Sequence, residues 1–99
     1  MFGLIGKMRA VAGRRGELIE ILAAGTTGMP GNLSYVIAED PDDADALWVT
    51  EIWDKQENHA ASLDLPGVRD AITRGKPLIA GFEMHQMTRP VAGVMDRGQ

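Results

Sequence analysis

The sequence predicts an α+β domain of the ferredoxin-like type, with the element order β-α-β-β-α-β and a four-stranded antiparallel sheet. Four segments alternate side chains at the two-residue period of a strand, and two other regions repeat apolar residues every three or four positions, as amphipathic helices do. A chain of 99 residues forms one domain, because two smaller pieces could not each bury a core. These observations together predict a single α+β unit.

The first half of the chain contains three predicted strands and one predicted helix. Residues 2–11 alternate and form the first strand, and a break at Gly13 precedes an amphipathic helix over residues 14–25. Residues 32–39 and 46–53 form the second and third strands, joined by a turn rich in Asp and Pro. A connection this short predicts that the second and third strands are antiparallel neighbours.

The second half contains two predicted helical pieces and the last strand. Asp54 is the predicted N-cap of a helix over residues 55–63, with Glu57 three positions later to complete a capping box. Residues 66–75 form a second piece that begins with Pro, so the helical region is broken or bent. Alternation over residues 82–89 predicts the fourth strand.

The limits of the domain and the faces of its sheet predict a partner. We expect the domain to span residues 1–90, and residues 91–99, which have no period, to form a C-terminal tail. A ferredoxin-like sheet carries both helices on one face, so its other face stays bare in a monomer. Apolar residues occur on both faces of the predicted strands, and an exposed apolar face favours association. We therefore expect a homodimer formed through the sheet face.

Charge and composition argue against several classes of function. The chain has 10 Lys and Arg against 14 Asp and Glu, a formal net charge of −4 that repels a nucleic-acid backbone. It has no Cys, which removes disulfides, thiolate metal sites and Cys nucleophiles, and agrees with a reducing compartment. Its apolar runs are too short for a signal peptide or a membrane span. We expect a cytoplasmic protein that binds neither nucleic acid nor membrane.

The third strand and the helix after it hold the residues best suited to chemistry. His59 is the candidate general base, because imidazole titrates near neutral pH, although a core histidine is an equally common explanation. Alternation places Val49, Glu51 and Trp53 on one face of the strand, where Glu51 either lines a pocket or forms a structural ion pair. Tyr35 either orients a phenolic substrate or fills the core.

The other polar residues give weaker signals. His85 has no second His or carboxylate at ligand spacing, so no metal site is predicted. Strict alternation would place His85 on the opposite face of the last strand from Phe82 and Met84. Ser34 and Ser62 lack the nucleophile-elbow pattern, so nothing indicates acyl transfer.

Several segments resemble the antibiotic biosynthesis monooxygenase family, whose members include quinol monooxygenases. These are the sequences MPGNLSY at residues 29–35, WVTEIWD at 48–54 and PLI at 77–79, with His59 between the last two. The resemblance covers about residues 2–90. It implies a dimeric α/β barrel in which two ferredoxin-like sheets pack face to face, with a pocket in each subunit between sheet and helices. Characterised members oxidise phenols or hydroquinones to quinones with O₂ and without a cofactor.

The resemblance also suggests roles for individual residues. Glu51 and Trp53 match the strand motif, and His59 lies in the region of the family's helix histidine. Many members place that histidine nine residues after the motif Trp, where this chain has Ser62, whereas His59 follows Trp53 by six residues. We therefore expect His59 as the base, and a substrate pocket formed by Trp53, Glu51, Tyr35, Val49 and Ser62.

Three functions follow as hypotheses. The first is a cofactor-independent monooxygenase that oxidises a small phenolic or hydroquinone substrate with O₂. The alternative is a non-catalytic small-molecule-binding or stress-related dimeric α/β barrel, and a third, weaker hypothesis is an isomerase-like proton shuttle. Heme-degrading relatives use an Asn on the first strand and a His late in the second helix; this chain has Gly6, Lys7 and Met8 on that strand and no late His, so heme is not expected.

Overall fold

The structure, a computed structural model, describes residues 1–95 and confirms the ferredoxin-like element order. Its elements are β1 (Phe2–Ala10), α1 (Arg15–Gly25), β2 (Asn32–Glu39), β3 (Ala46–Trp53), α2 (Gln56–Ser62), α3 (Pro66–Gly75), a 3₁₀ turn (Lys76–Leu78) and β4 (Ile79–Thr88). Residues 91–95 contain no helix or strand, and the rest of the predicted tail, residues 96–99, lies outside the described residues. None of the described helices is long and apolar enough to cross a membrane.

The four strands form one antiparallel sheet in the order β2-β3-β1-β4. In one row across the sheet, Glu51 of β3 pairs with Tyr35 of β2 and with Leu4 of β1. In the next row, Gly6 of β1 pairs with Val49 of β3. The register thus places Tyr35, Glu51 and Val49 on one face of the sheet, because partners in a pair and residues two apart share a face.

Two apolar clusters cover that face. The larger cluster packs α1 and α3 against the sheet around the buried residues Ala10, Leu18, Ile21, Leu47, Ala71 and Leu78. The smaller cluster contains Trp53, Met29 and Val68. Trp53 is 0% exposed, whereas Trp48 lies on the opposite face, where its indole Nε1–H donates to Asp40 Oδ2 at 2.9 Å. The prediction that the two indoles point in opposite directions is confirmed.

The start of α2 differs from the sequence prediction. The helix begins at Gln56 and its N-cap is Lys55, with no side-chain cap hydrogen bond, so the predicted capping role of Asp54 is wrong. The backbone N–H of Asp54 donates to the carbonyl of Gly31 at 2.9 Å, which holds Asp54 at the end of the strand. Its Oδ1 instead accepts hydrogen bonds from the Lys55 backbone N–H at 2.7 Å and from the Asn58 side chain at 2.8 Å.

Strand β4 also differs from its prediction, in its start and in its faces. It begins at Ile79 rather than at residue 82 and its register against β1 shifts twice. Gly6 pairs with His85 and Met8 pairs with Phe82, so three residues of β4 span two residues of β1. An extra residue of this kind is a β-bulge, which interrupts the two-residue alternation. Phe82 and His85 therefore share a face, contrary to the prediction.

The opposite face of the sheet carries a cluster of charged side chains. Arg9 donates to Glu83 Oε1 at 2.7 Å and forms a second ion pair with Asp43. Lys7 Nζ lies 3.2 Å from Glu83 Oε2 and 5.4 Å from the ring centroid of Trp48. The hydrogen bonds from Arg9 hold the carboxyl pKa values of Asp43 and Glu83 below their ordinary range.

Candidate active site

A cavity of about 370 Å³ lies over the middle of the sheet, on the face that carries Val49 and Glu51. Its lining comes from all four strands and includes the apolar residues Leu4, Met8, Val49, Phe82 and Met84. Three polar residues, Tyr35, Glu51 and His85, also line it, together with Lys7, whose Nζ points to the opposite face and pairs with Glu83. The size and the mostly apolar lining, with a few polar groups, are typical of a small-molecule site.

Glu51 is the polar group around which the site is organised. Its Oε1 accepts a 3.1 Å hydrogen bond from Trp53 Nε1–H and lies 4.0 Å from His59 Nε2. Among residues 1–95, no hydrogen bond engages Oε2, and this oxygen is not a buried atom without a partner. Because Glu51 lines the cavity, the second oxygen can accept a hydrogen bond from a ligand there.

Burial raises the pKa of the Glu51 carboxyl above its ordinary value. The hydrogen bond from Trp53 and the nearby side chains of His59 and His85 act in the opposite direction, but burial is the larger effect. A carboxylate with a raised pKa is a stronger base than an exposed one. Glu51 is therefore suited to accept a proton from a ligand.

His59 lies behind Glu51 rather than in the cavity wall. The ring of His59 is held between two aromatic side chains, with centroid distances of 5.6 Å to Phe2 and 5.6 Å to Trp53, the second at an edge-on angle of 73°. These contacts direct Nε2 toward the Glu51 carboxylate. His59 therefore faces the Glu51 carboxylate at ion-pair distance, whereas a ligand in the cavity contacts Glu51 first.

Tyr35 lines the cavity from β2, beside Glu51. Burial, together with the negative charge of Glu51, raises the pKa of the Tyr35 hydroxyl above its ordinary value. The hydroxyl is therefore protonated across the physiological range and can donate a hydrogen bond to an oxygen atom of a ligand.

The structure brings together only some of the residues that the sequence predicts for the pocket. Tyr35, Val49 and Glu51 line the cavity. Trp53 is buried in the smaller apolar cluster and reaches the site only through its hydrogen bond to Glu51. Ser62 is 5% exposed and its Oγ donates to a backbone carbonyl of its own helix at 2.6 Å, so it lies away from the cavity.

Strand β4 supplies site residues that the sequence interpretation missed. His85, Phe82 and Met84 all line the cavity. Strict alternation predicted that His85 points away from Phe82, and the bulge in β4 reverses that relationship. The two glycines near the bulge, Gly81 in β4 and Gly6 in β1, are the kind of signal that indicates irregular pairing.

The side chains in this region are arranged for proton transfer. Within residues 1–95, no group of three or more His, Cys, Asp or Glu side chains is close enough to hold a metal ion. The carboxylate of Glu51 faces an apolar cavity, with an imidazole behind it and a phenolic hydroxyl beside it. This set can remove a proton from a ligand hydroxyl and bind the resulting oxygen.

The fold and the site define a ferredoxin-like α+β protein with a strand-lined cavity and a carboxylate and imidazole pair. The family model described as antibiotic biosynthesis monooxygenase matches residues 1–74, which is most of the chain. This chain therefore belongs to the antibiotic biosynthesis monooxygenase family, and the family supports a monooxygenase-like role.

Solved structures agree with the family assignment. A candidate antibiotic biosynthesis monooxygenase from Chloroflexus aurantiacus is 58% identical, with a TM-score of 0.93 over 94% of this chain and 95% of the other. A second candidate from Deinococcus radiodurans is 26% identical, with a TM-score of 0.77 over 95% of this chain and 96% of the other. A mutant of SnoaB, a cofactor-independent oxygenase from Streptomyces nogalater, is 16% identical and shows the shared fold, with a TM-score of 0.76 over 94% and 95%. No curated protein sequence matches this chain.

Proposed function

We propose that this protein is a cofactor-independent monooxygenase that oxidises a small phenolic or hydroquinone substrate with O₂. The observation that carries the proposal is the position of Glu51: its carboxylate faces an apolar cavity, with His59 Nε2 4.0 Å from Oε1. Removing the hydroxyl proton makes an electron-rich phenolate, which can reduce O₂ directly. The protein then needs to supply a base, orientation and an apolar environment.

The reaction balances without an external reductant. The phenolate passes one electron to O₂, and the two radicals join to form a C–O bond at the ring carbon para to the hydroxyl. Protonation of the peroxide and loss of the ring C–H proton break the O–O bond, so that one oxygen stays as the new C=O and the other leaves as water. The two hydrogens of that water balance the O–H and C–H hydrogens that the phenol loses. A hydroquinone with a free ring position gives a hydroxyquinone by the same balance.

The proton route runs from the substrate to Glu51 and then to His59. Glu51 touches the cavity and takes the hydroxyl proton, and His59 is the second base that accepts it. Tyr35 donates a hydrogen bond to the substrate oxygen and so stabilises the phenolate. The buried side chains of Leu4 and Val49 provide apolar surface beside the anion.

Oxygen uptake tests this proposal. We expect the purified protein to consume O₂ with members of a phenol and hydroquinone panel and to place one atom of ¹⁸O₂ in the quinone product. His59→Ala should lower kcat by about 10²-fold or more, while Gln56→Ala, an exposed change on the same helix, should not. An unchanged rate in His59→Ala would remove the base role of His59, and no uptake with any substrate would reject the monooxygenase.

Ser62 favours a second candidate function, a non-catalytic small-molecule-binding or stress-related protein. This residue occupies the position nine after Trp53 at which many family members have a histidine, and its buried hydroxyl bonds to the helix backbone. A chain that lacks a base at this position can keep the cavity without the chemistry. Product-like quinones that raise the melting temperature, with no O₂ uptake from the matching hydroquinones, would support this candidate.

We also propose that two copies of the chain associate through the sheet face opposite the helices. Val36 lies on that face and is 53% exposed, and it pairs with Thr50, which in turn pairs with Ile5. A second copy would cover the apolar side chains of Val36 and Ile5 on this face. Sedimentation should show a dimer at micromolar concentration, and Val36→Glu should shift it toward monomer, unlike Val91→Glu, which changes an exposed valine outside the sheet. A monomeric wild type would contradict the proposal.

A further inference from the structure

We propose that Gly6 sets the size limit of the cavity, and that the missing side chain makes room for a bulky ring substituent or a second fused ring on the substrate. Gly6 lies in β1, an inner strand of the sheet, and it lines the cavity between Val49 of β3 and His85 of β4. The identity of the ligand as a phenol or hydroquinone rests on the proposed function, whereas the size limit rests on the cavity alone.

The backbone does not require a glycine at this position. Gly6 does not have a positive φ, unlike Gly31, which has a φ of +82° and is crowded by the side chains of Asp54 and Asn58. A Cβ atom added at Gly6 would meet only the carbonyl oxygen of Met84, at 3.8 Å, an ordinary van der Waals distance. A glycine in an inner strand weakens the strand, and it often marks a place where a ligand or another backbone approaches closely.

No backbone approaches Gly6 closely enough to exclude a side chain, and the register shift lies between Lys7 and Met8 while Gly6 keeps its pair with His85, so the space in the cavity is the remaining reason for the glycine. In contrast, a Cβ atom at Gly3 of the same strand would collide with the Thr88 side chain. Gly3 is therefore explained by packing within the sheet, and Gly6 is not.

The cavity is larger than one aromatic ring needs. A cavity of about 150 Å³ in a protein core is enough to bind benzene, and this cavity has a volume of about 370 Å³. The extra volume can hold a ring substituent or a second ring.

The position of Gly6 shows where that extra bulk would lie. Glu51 pairs with Leu4, and Gly6 is two residues further along β1, about 7 Å away along the strand. A substrate with its hydroxyl at Glu51 therefore directs the far side of its ring over Gly6, next to Val49.

Steady-state kinetics with two hydroquinones test the inference. In wild type, both hydroquinone and tert-butylhydroquinone should be oxidised. In Gly6→Val, the KM for tert-butylhydroquinone should rise about tenfold or more, and the KM for hydroquinone should change by less than about threefold. Gly6→Ala should give a smaller shift in the same direction. Gly81→Val is the matched control, because Gly81 is also a strand glycine with open space around it and does not line this cavity.

Ligand-induced stabilisation separates this inference from the proposed reaction. tert-Butylhydroquinone should raise the melting temperature of wild type and Gly81→Val, and should lose that effect in Gly6→Val. This result without O₂ uptake would support the size limit and reject the monooxygenase. O₂ uptake with the same KM ratio in wild type and Gly6→Val would overturn the size limit and leave the monooxygenase in place.

Discussion

The indole Nε1–H of Trp53 donates a 3.1 Å hydrogen bond to Oε1 of Glu51, two residues earlier on the same face of β3. Trp53 is fully buried, so this donor is fixed in position by the core. The hydrogen bond holds one oxygen of a carboxylate whose other oxygen has no hydrogen-bond partner among the described residues. The core of the fold thus orients the group that we propose to be the first proton acceptor.

Glu51→Gln should abolish most of the activity while it preserves the fold. The amide oxygen of Gln can still accept the hydrogen bond from Trp53, but the side chain cannot accept the substrate proton. We expect kcat to fall by about 10² to 10⁴-fold, the usual range for loss of a general base. Initial rates of O₂ uptake measure the effect, and Glu20→Gln, an exposed position on α1, is the matched control. Full activity in Glu51→Gln would rule out Glu51 as the base.

Trp53→Phe should shift the pH dependence of activity upward. The hydrogen bond from Trp53 lowers the pKa of Glu51, so its removal lets burial raise that pKa further, and the basic form appears only at higher pH. The pH at half-maximal kcat measures the shift.

Trp48→Phe is the matched control for this change. Trp48 lies on the same strand and also donates to a carboxylate, that of Asp40, but on the opposite face of the sheet. The same pH midpoint in Trp53→Phe, Trp48→Phe and wild type would show that the Trp53 hydrogen bond does not tune the base.

Glu51→Gln should also stabilise the protein at neutral pH. Burial raises the pKa of Glu51 in the folded state, so folding favours the protonated carboxyl: its contribution to stability is complete below the ordinary pKa of 4.5 and is lost as the pH rises through the raised value. Gln is neutral at every pH, so the variant does not bury a negative charge at neutral pH. A gain of about 1 kcal/mol would raise the melting temperature by roughly 4–8 °C.

Thermal unfolding of wild type and Glu51→Gln at pH 4 and pH 7 measures this difference. The two melting temperatures should be close at pH 4 and should separate at pH 7, with the variant higher. A difference in melting temperature between the two proteins that is equal at both pH values would contradict the raised pKa of Glu51.

The charged cluster around Arg9 should give the opposite dependence on pH. Hydrogen bonds from Arg9 lower the pKa values of Asp43 and Glu83, so their contribution to stability is present above the ordinary values of 3.8 and 4.5 and is lost as the pH falls through the lowered ones. Arg9→Gln should therefore destabilise the protein at neutral pH and converge with wild type in acid. Because these side chains are about a third exposed, salt screens their charges and the difference should shrink at high salt; urea unfolding at two salt concentrations measures it.

The sequence predicts the faces of β3 correctly because that strand is regular. Alternation over residues 46–53 separates Trp48 from Trp53 and groups Val49 with Glu51, and the structure confirms both. Each of these relationships involves residues within a few positions of one another, so it follows from the strand period alone.

The same reasoning fails on β4 because of a long-range feature. The register shift against β1 adds one residue to β4, and His85 moves to the face that carries Phe82. Strict alternation therefore assigned His85 to the wrong face, although it lines the cavity. Asp54 is a second case: its N–H bonds to Gly31, more than twenty residues earlier, and the predicted helix cap does not form.

The sequence by itself determined the order of the elements, the membership of the family and the chemical types available to the site. The roles of His59 and of the pocket residues, the absence of a cofactor and the cytoplasmic location stay predictions. Only the tertiary structure decided that Glu51 faces the cavity with His59 behind it, and that Ser62 does not line the cavity. The physical reason is the separation along the chain of the residues that determine each feature. Secondary structure and sequence motifs depend on neighbouring residues, whereas a site depends on strand register and helix packing between residues far apart in the chain.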